Sequence, residues 1–187
     1  MNRAGYVLVG GRSARMGRDK ALLPYRGGAL AESVAQAVAQ ACGSAVLVGA
    51  PERYTKLHFP TIADLYPGEG PLGGILTALH HTSANWNLVV ACDMPEITAE
   101  FLDYLMNAAE RLASGILLPA SPSGLPQPLC AAYHRNVQAA LAAAYARGIR
   151  KVTAAFEGIP VTRMTVPEMT PLQNVNTPED WAGYGTN

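Results

Sequence analysis

Charge is what this chain is short of: only 15% of its 187 residues are Asp, Glu, Lys or Arg, against about a quarter in an average soluble domain. The 14 basic and 14 acidic residues also cancel. No overall field therefore draws the chain to nucleic acid or to an anionic membrane, and a polyanionic ligand needs a local site. The N-terminal stretch offers one, with Arg3, Arg12, Arg15, Arg18 and Lys20 set against a single acid, Asp19. A weakly charged surface rich in Ala and Gly leaves room for self-association, and the expected state is a monomer or weak oligomer. Cysteine is scarce too. Cys42, Cys92 and Cys130 form no CxxC or other short ligand spacing, which fits buried thiols in a reducing cytoplasm. The four histidines, His58, His80, His81 and His134, are scattered, and the adjacent pair would face different ways on a helix, which argues against a zinc array. No apolar run approaches the roughly 20 residues that span a bilayer. The short apolar stretch 6–9 ends in Gly10-Gly11 and basic residues, unlike a signal peptide. Trp86 and Trp181 read as packing residues rather than base-stacking platforms.

What is present suits one domain, 1–187, with a real core: 49% of the residues are hydrophobic. Short, largely apolar runs at 6–9, 45–49 and 87–92 read as buried parallel strands, with further strands expected at 61–64, 115–119, 129–133 and 160–166. Helical spacing marks 29–42, stopped by Gly43, and also 75–81, 100–112 with Thr98 as N-cap, and 136–147. Shorter helical pieces are expected at 52–57 and 152–156. Residues 68–74, with four glycines and Pro71, read as a loop. Residues 121–128 are broken by three prolines and suggest a flap. Thr177-Pro178-Glu179-Asp180 has the form of a helix start, with Thr as cap, Pro at the first position and Asp180 at the third. Alternating strands and helices predict an α/β fold: a three-layer α/β/α sandwich around a mainly parallel, Rossmann-like sheet.

The segment 8–20, LVGGRSARMGRDK, carries the most specific chemistry. Glycines after a first strand allow close backbone approach, their amides can face phosphate oxygens, Arg15 supplies a fork of donors and Lys20 a mobile charge. The segment is neither a GxxxxGK[ST] loop nor a GxGxxG fingerprint, Ser13 sits in no nucleophile elbow, and a plain tight turn is the competing reading. Asp93 follows the most apolar strand, where open α/β sheets bind ligands; it could hold magnesium or simply begin the turn before Pro95. Asp64 is either a solvated loop acid or a ligand contact. Asn174 and Asn176 can cap the turn before the last helix, and Gln127 is either a satisfied loop amide or part of a site. Arg135 reads as a solvated helix-start residue.

Segment 8–20 resembles the L-x-G-G-x-S-x-R-M-G-x-D-K signature of the MobA-like nucleotidyltransferases, which include the molybdenum cofactor guanylyltransferases. Val9 stands where that family usually has Ala. Four more motifs match in the family's order: Gly70-Pro71-Leu72-x-Gly74-Ile75, Cys92-Asp93-Met94-Pro95, Gln127-Pro128-Leu129 and Asn174-Val175-Asn176-Thr177-Pro178-Glu179-Asp180. The resemblance implies the nucleotide-diphospho-sugar transferase type of fold and Mg2+-dependent transfer of GMP from GTP to the terminal phosphate of molybdopterin, with release of pyrophosphate. It implies catalytic roles for Arg15, Lys20 and Asp93, with Asp93 on the metal. Nucleotide contacts are implied at Leu8, Val9, Gly10, Gly11, Ser13, Lys20, Asp64, Gly70, Pro71, Leu72 and Gly74, and acceptor contacts at Gln127, Asn174 and Asn176. Molybdoenzymes or their chaperones would receive the product. The Gly10-Gly11 pair resembles the guanylyl branch more than relatives with Ala-Ala-Gly, which transfer CMP. Cytidylyl transfer, a sugar-phosphate acceptor and a non-catalytic nucleotide-binding role remain alternatives.

Overall fold

The structure is a computed structural model that describes residues 3–10, 19–113, 115–167 and 170–184. A seven-stranded sheet runs through the molecule in the order β5-β4-β1-β6-β8-β7-β9. Its strands are β1 (Arg3–Leu8), β4 (Val46–Gly49), β5 (Thr61–Ala63), β6 (Trp86–Ala91), β7 (Ile116–Ala120), β8 (Cys130–His134) and β9 (Val161–Thr165). Each of the expected strands is there, within one residue at either end except that β1 starts three residues earlier than expected. Every neighbouring pair is parallel except the two that involve β8, which runs against both β6 and β7. A small hairpin of β2 (Pro24–Tyr25) and β3 (Gly28–Ala29), not foreseen from the sequence, stands apart from the sheet.

Strand side chains alternate between two apolar layers. Val7, Leu47, Leu88, Val90 and Leu117 pack under α1 (Leu30–Cys42) and α3 (Ala99–Ala109). Tyr6, Val48, Val89, Ile116 and Leu118 pack under α2 (Pro71–His81) and α4 (Gln138–Ala146). The result is the expected sandwich: a mostly parallel sheet with helices on both faces. Truncating a fully buried leucine such as Leu105 to Ala costs about 2–5 kcal/mol in cores of this kind. Trp86 is buried in the first layer and Trp181 packs against it. Cys92 and Cys130 are buried, Cys42 is partly covered, and all three are free thiols.

Several local signals act as read. Gly43 closes α1 in the left-handed region with φ of 83°, the Thr98 hydroxyl accepts the Phe101 amide at 3.2 Å, and Thr177 and Asp180 form a reciprocal box at the start of α5 (Pro178–Ala182). Two readings need correction. Residues 52–57 do not form a helix; a single 3₁₀ turn covers Pro51–Arg53. Nor is 68–74 a loop throughout, because α2 begins at Pro71. Proline at the first helical position loses no hydrogen bond, and Gly73 and Gly74 serve tight packing inside the helix rather than chain reversal. A Cβ on Gly73 would lie 2.7 Å from the Cβ of Tyr66, and one on Gly74 would lie 3.0 Å from Leu8 Cδ2. Residues 121–128 make the return from β7 to β8. A turn is closed by Gly124 N–H donating to Ser121 O at 2.8 Å, and Ala120 bridges Pro126.

Candidate active site

Where β1, β4 and β6 end at their C-terminal edge, the sheet opens into a cleft of about 390 Å³. Its floor is Leu8, Val9, Gly10, Val48, Ala91 and Cys92; Asp64, Gly68, Gly70, Pro71 and Gly74 form one wall, and Asp19, Lys20, Asp93 and Leu129 the other. This is the position at which parallel sheets gather ligands, since successive loops leave the strands there on the same side. A larger groove of about 560 Å³ between the β2–β3 hairpin and α1 contains none of the sequence-predicted site residues.

On the second wall Lys20 contacts two side chains, Asp93 of the same wall and Asn176, which lies beyond the lining. The Lys20 ammonium donates to Asn176 Oδ1 at 2.9 Å and lies 3.7 Å from Asp93 Oδ2. Lys20 opens a 3₁₀ turn whose cap is Asp19: Oδ1 accepts the Ala21 amide at 3.1 Å, while Oδ2 accepts Arg53 Nη2 at 2.6 Å and the Tyr54 hydroxyl at 2.9 Å. Burial and the neighbouring Asp19 carboxylate push the Tyr54 phenol pKa well up, so it stays protonated and keeps donating. Asn176 is held by the last helix. Asp180 Oδ2 accepts the amides of Asn176 and Thr177 at 2.8 and 3.0 Å, and these two bonds hold its carboxyl below the ordinary aspartate range. The Val175 amide donates to the Asp93 carbonyl at 2.8 Å, which binds the C-terminal segment directly to the aspartate's own backbone.

Asp93 is the most unusual group in the cleft. Its Oδ1 is buried with no hydrogen-bond partner. Burial raises its pKa, against the opposing pull of Lys20. A buried carboxylate oxygen without a partner is costly unless a proton, a water or a cation meets it, so this atom could face a divalent cation. No group of three or more His, Cys, Asp or Glu surrounds it among the described residues. That suits magnesium, which takes one or two carboxylates and completes its shell with phosphate oxygens and water.

The opposite wall is mostly main chain. Gly70 has φ of 86° and a left-handed backbone that other residues avoid. It precedes Pro71, so the first turn of α2 faces the cleft with no side chain capping it. Asp64 is not a solvated acid: its Oδ1 accepts the Tyr66 amide and the Thr77 hydroxyl, both at 2.9 Å.

The predicted residues do not all share the cleft. Leu8, Val9, Gly10, Lys20, Asp64, Gly70, Pro71, Gly74 and Asp93 line the cleft together, whereas Leu72 is fully buried in the layer beneath α2. Gln127 and Asn174 meet each other at 3.3 Å, with Gln127 also donating to the Leu172 carbonyl, in a position next to the cleft rather than on its lining. Gly11, Ser13 and Arg15 lie outside the described residues. Arg135 is exposed at a helix start, as expected. Sequence reasoning missed the support of Lys20 by Asp19, Arg53 and Tyr54, whose partners are 34 and 35 positions apart. It also missed the aromatic group that Tyr25 forms with Trp181 and Tyr184 of the C-terminal segment. The reading of Trp181 as a packing residue was the one signal of the latter.

Residues 5–160 match the MobA-like NTP transferase domain family. A Clostridium perfringens protein described as a probable molybdenum cofactor guanylyltransferase is 36% identical over 137 residues, covering 73% of this chain and 68% of that protein. One of the same description from Mycobacterium marinum is 34% identical over 183 residues, 95% of this chain and 90% of its own. Among solved structures, molybdopterin-guanine dinucleotide biosynthesis protein A of Archaeoglobus fulgidus superposes with a TM-score of 0.84 at 29% identity, over 98% of this chain and 96% of that one. Rv0371C of Mycobacterium tuberculosis, solved as a complex with manganese, shares the fold with a TM-score of 0.73 at 20% identity, over 99% and 98% of the two chains.

Proposed function

The chain belongs to the MobA-like NTP transferase family, and from that premise we propose that it transfers GMP from GTP to the terminal phosphate of molybdopterin, free or molybdenum-loaded, releasing pyrophosphate. The observation that carries this reading is the meeting of Lys20, Asn176 and Asp93 beside the cleft, with an Asp93 oxygen that is buried without a partner and could take a cation. The relatives described as guanylyltransferases support the choice of nucleotide and acceptor.

The chemistry is an in-line displacement. An oxygen of the acceptor phosphate forms a bond to the α-phosphorus of GTP, the bond from that phosphorus to the β-phosphate bridging oxygen breaks, and pyrophosphate leaves with the electron pair. The acceptor phosphate is already anionic near neutral pH, so no strong general base is required. Orientation and charge neutralisation remain as the protein's task. Lys20, fixed by Asn176, places a cation over the triphosphate, and Arg15 of the same motif adds donors to it. The backbone of 68–71 receives the base and ribose. Gln127 and Asn174 face the acceptor. Asp93 would hold the magnesium ion, which when bound would supply positive charge against the triphosphate.

On this reading residues 1–187 work as one transferase domain in the cytoplasm, as a monomer or weak oligomer that delivers its product to molybdoenzymes or their chaperones. The test is pyrophosphate release with magnesium, molybdopterin and, separately, GTP, CTP and ATP. Release with GTP alone, lost in Lys20→Ala, is the expected result. Release with CTP alone would overturn the base assignment and keep the mechanism. Silence with all three, from folded protein and saturating acceptor, would overturn the acceptor.

A further inference from the structure

The wall formed by 64–71 presents main chain to the cleft. Gly68 and Gly70 have no side chains, and both lie in the left-handed region, with φ of 80° and 86°. A wall of this kind recognises a ligand through the placement of its peptide groups, so its precision depends on what holds it from behind. Its inner end is fixed by Asp64, which ties the Tyr66 amide to Thr77 of α2. Its outer end is fixed by a part of the molecule that does not line the cleft.

That part is the C-terminal end of α4 and the residues just after it. The Tyr145 ring packs against the Tyr66 ring with centroids 4.7 Å apart. The Arg150 guanidinium lies 3.9 Å over the other partner of this pair, Tyr145. Its Nε donates to Glu69 Oε2 at 2.7 Å, and its Nη1 donates to the carbonyls of Tyr145 and Ile149 at 2.8 and 3.3 Å. One guanidinium therefore satisfies the end of α4, stacks on an aromatic face and grips the loop, a combination that lysine could not reproduce. Glu69 in turn donates its amide to the Tyr66 carbonyl at 3.1 Å, so the two held residues close a single turn. The ion pair alone is half-exposed and weak. The ring stack and the two carbonyl bonds give it a fixed geometry.

We propose that Tyr145 and Arg150 are positioning residues that set nucleotide affinity and base discrimination by clamping Tyr66 and Glu69, and thereby the 68–70 backbone, from outside the cleft. The inference rests on the nucleotide-transfer reading, because it assigns the 64–71 wall to the base and ribose. It adds two residues, distant in sequence, that touch neither substrate.

The test compares the whole chain with Arg150→Ala, Tyr145→Ala and Tyr145→Phe. GTP and CTP binding are titrated with magnesium present, backbone amide exchange is followed along the chain, and thermal midpoints are recorded. The expected result is GTP binding about tenfold weaker in both alanine variants, as for a sub-ångström loss of placement, with the GTP-to-CTP preference compressed. Faster exchange should be confined to 65–70, and Tyr145→Phe, which keeps the ring and loses only the side-chain hydrogen bond between Tyr145 and Glu69, should recover most of the affinity that Tyr145→Ala loses. Two results overturn the clamp. One is faster exchange at 65–70 with unchanged affinity. The other is weaker binding accompanied by a collapsed thermal midpoint and exchange throughout the chain. If the unaltered chain binds neither nucleotide, the functional reading itself fails, and that is seen before any variant is made.

Discussion

On one side of the cleft, residues 64–74 follow one another in the chain, and their contribution is backbone shape: two left-handed glycines, a proline that starts a helix, and two helical glycines that let α2 sit against Tyr66 and Leu8. On the other side, Lys20, Asp93 and Asn176 come from three segments, with 156 positions between the first and the last. That wall consists of side-chain charge and hydrogen bonds. On the nucleotide-transfer reading proposed above, the difference separates two tasks. A continuous loop with fixed dihedrals can shape itself to a base and ribose with little help from charge. Neutralising a triphosphate requires cations and carboxylates closer together than neighbouring residues can place them, so the chain brings them in from distant elements.

Changes on the charged wall should therefore act on turnover, and changes on the backbone wall on binding. The largest effect is expected for Asp93→Asn, which removes the carboxylate that has an unsatisfied buried oxygen; kcat/KM for pyrophosphate release should fall about a thousandfold, the scale of losing one electrostatic group at a reacting centre. A value within a few-fold of the unaltered chain would remove Asp93 from the mechanism. Trp181→Ala comes next. Trp181 stacks on Tyr184 and leans on Tyr25, whose hydroxyl donates to the Pro95 carbonyl just beyond Asp93. Loosening this packing should displace Asn176 and lower kcat about tenfold, with a smaller change in KM. The reverse pattern would mean that the aromatic group serves the nucleotide side.

Gly73→Ala probes the other wall. The added methyl meets Tyr66 at 2.7 Å and must push the loop outward, so KM for the nucleotide should rise about fivefold with kcat little changed, a loss of binding common to ground and transition states. A fall in kcat instead would erase the division between the walls.

Glu110→Gln is the smallest and acts on neither wall. Glu110 accepts two hydrogen bonds from Arg3, at 2.8 and 2.7 Å, at the start of β1 and away from the cleft. Arg3 holds its carboxyl below the ordinary value of 4.5. The carboxylate's contribution to stability is thus complete above that value and is lost as pH falls through the lowered native pKa. Urea unfolding at pH 7 should show a loss of about 1–2 kcal/mol. The gap to the unaltered chain should close in acid, and pyrophosphate release should not change.

The two walls also differ in how far the sequence reveals them. The strands that end at the cleft are short, apolar and bounded by glycine, proline or charge, so hydrophobic runs alone locate them. Gly70-Pro71 marks the backbone wall, although the same glycine density disguised the first turn of α2 as loop, because glycine and proline at a helix start resemble those of a turn. Asp93 could be found as an acid at the end of the most apolar strand. Its contact with Lys20 could not, nor could the work of Asp19, which in sequence is one more residue of a basic motif and in the structure anchors Lys20 through Arg53 and Tyr54. Asn174 and Asn176 looked alike in sequence. The fold separates them: Asn176 accepts from Lys20, and Asn174 turns to Gln127.

The sequence by itself determined the layers, the strand positions, the helix caps and the motif residues, because period, capping and turn chemistry act over a few neighbouring residues. The tertiary structure decided that β8 inserts antiparallel between β6 and β7, that one oxygen of Asp93 is buried without a partner, and that Arg150 reaches back 81 positions to Glu69. Those outcomes depend on which surfaces meet when the two apolar layers close over the sheet. They arise from packing many distant residues at once, and no local pattern encodes them.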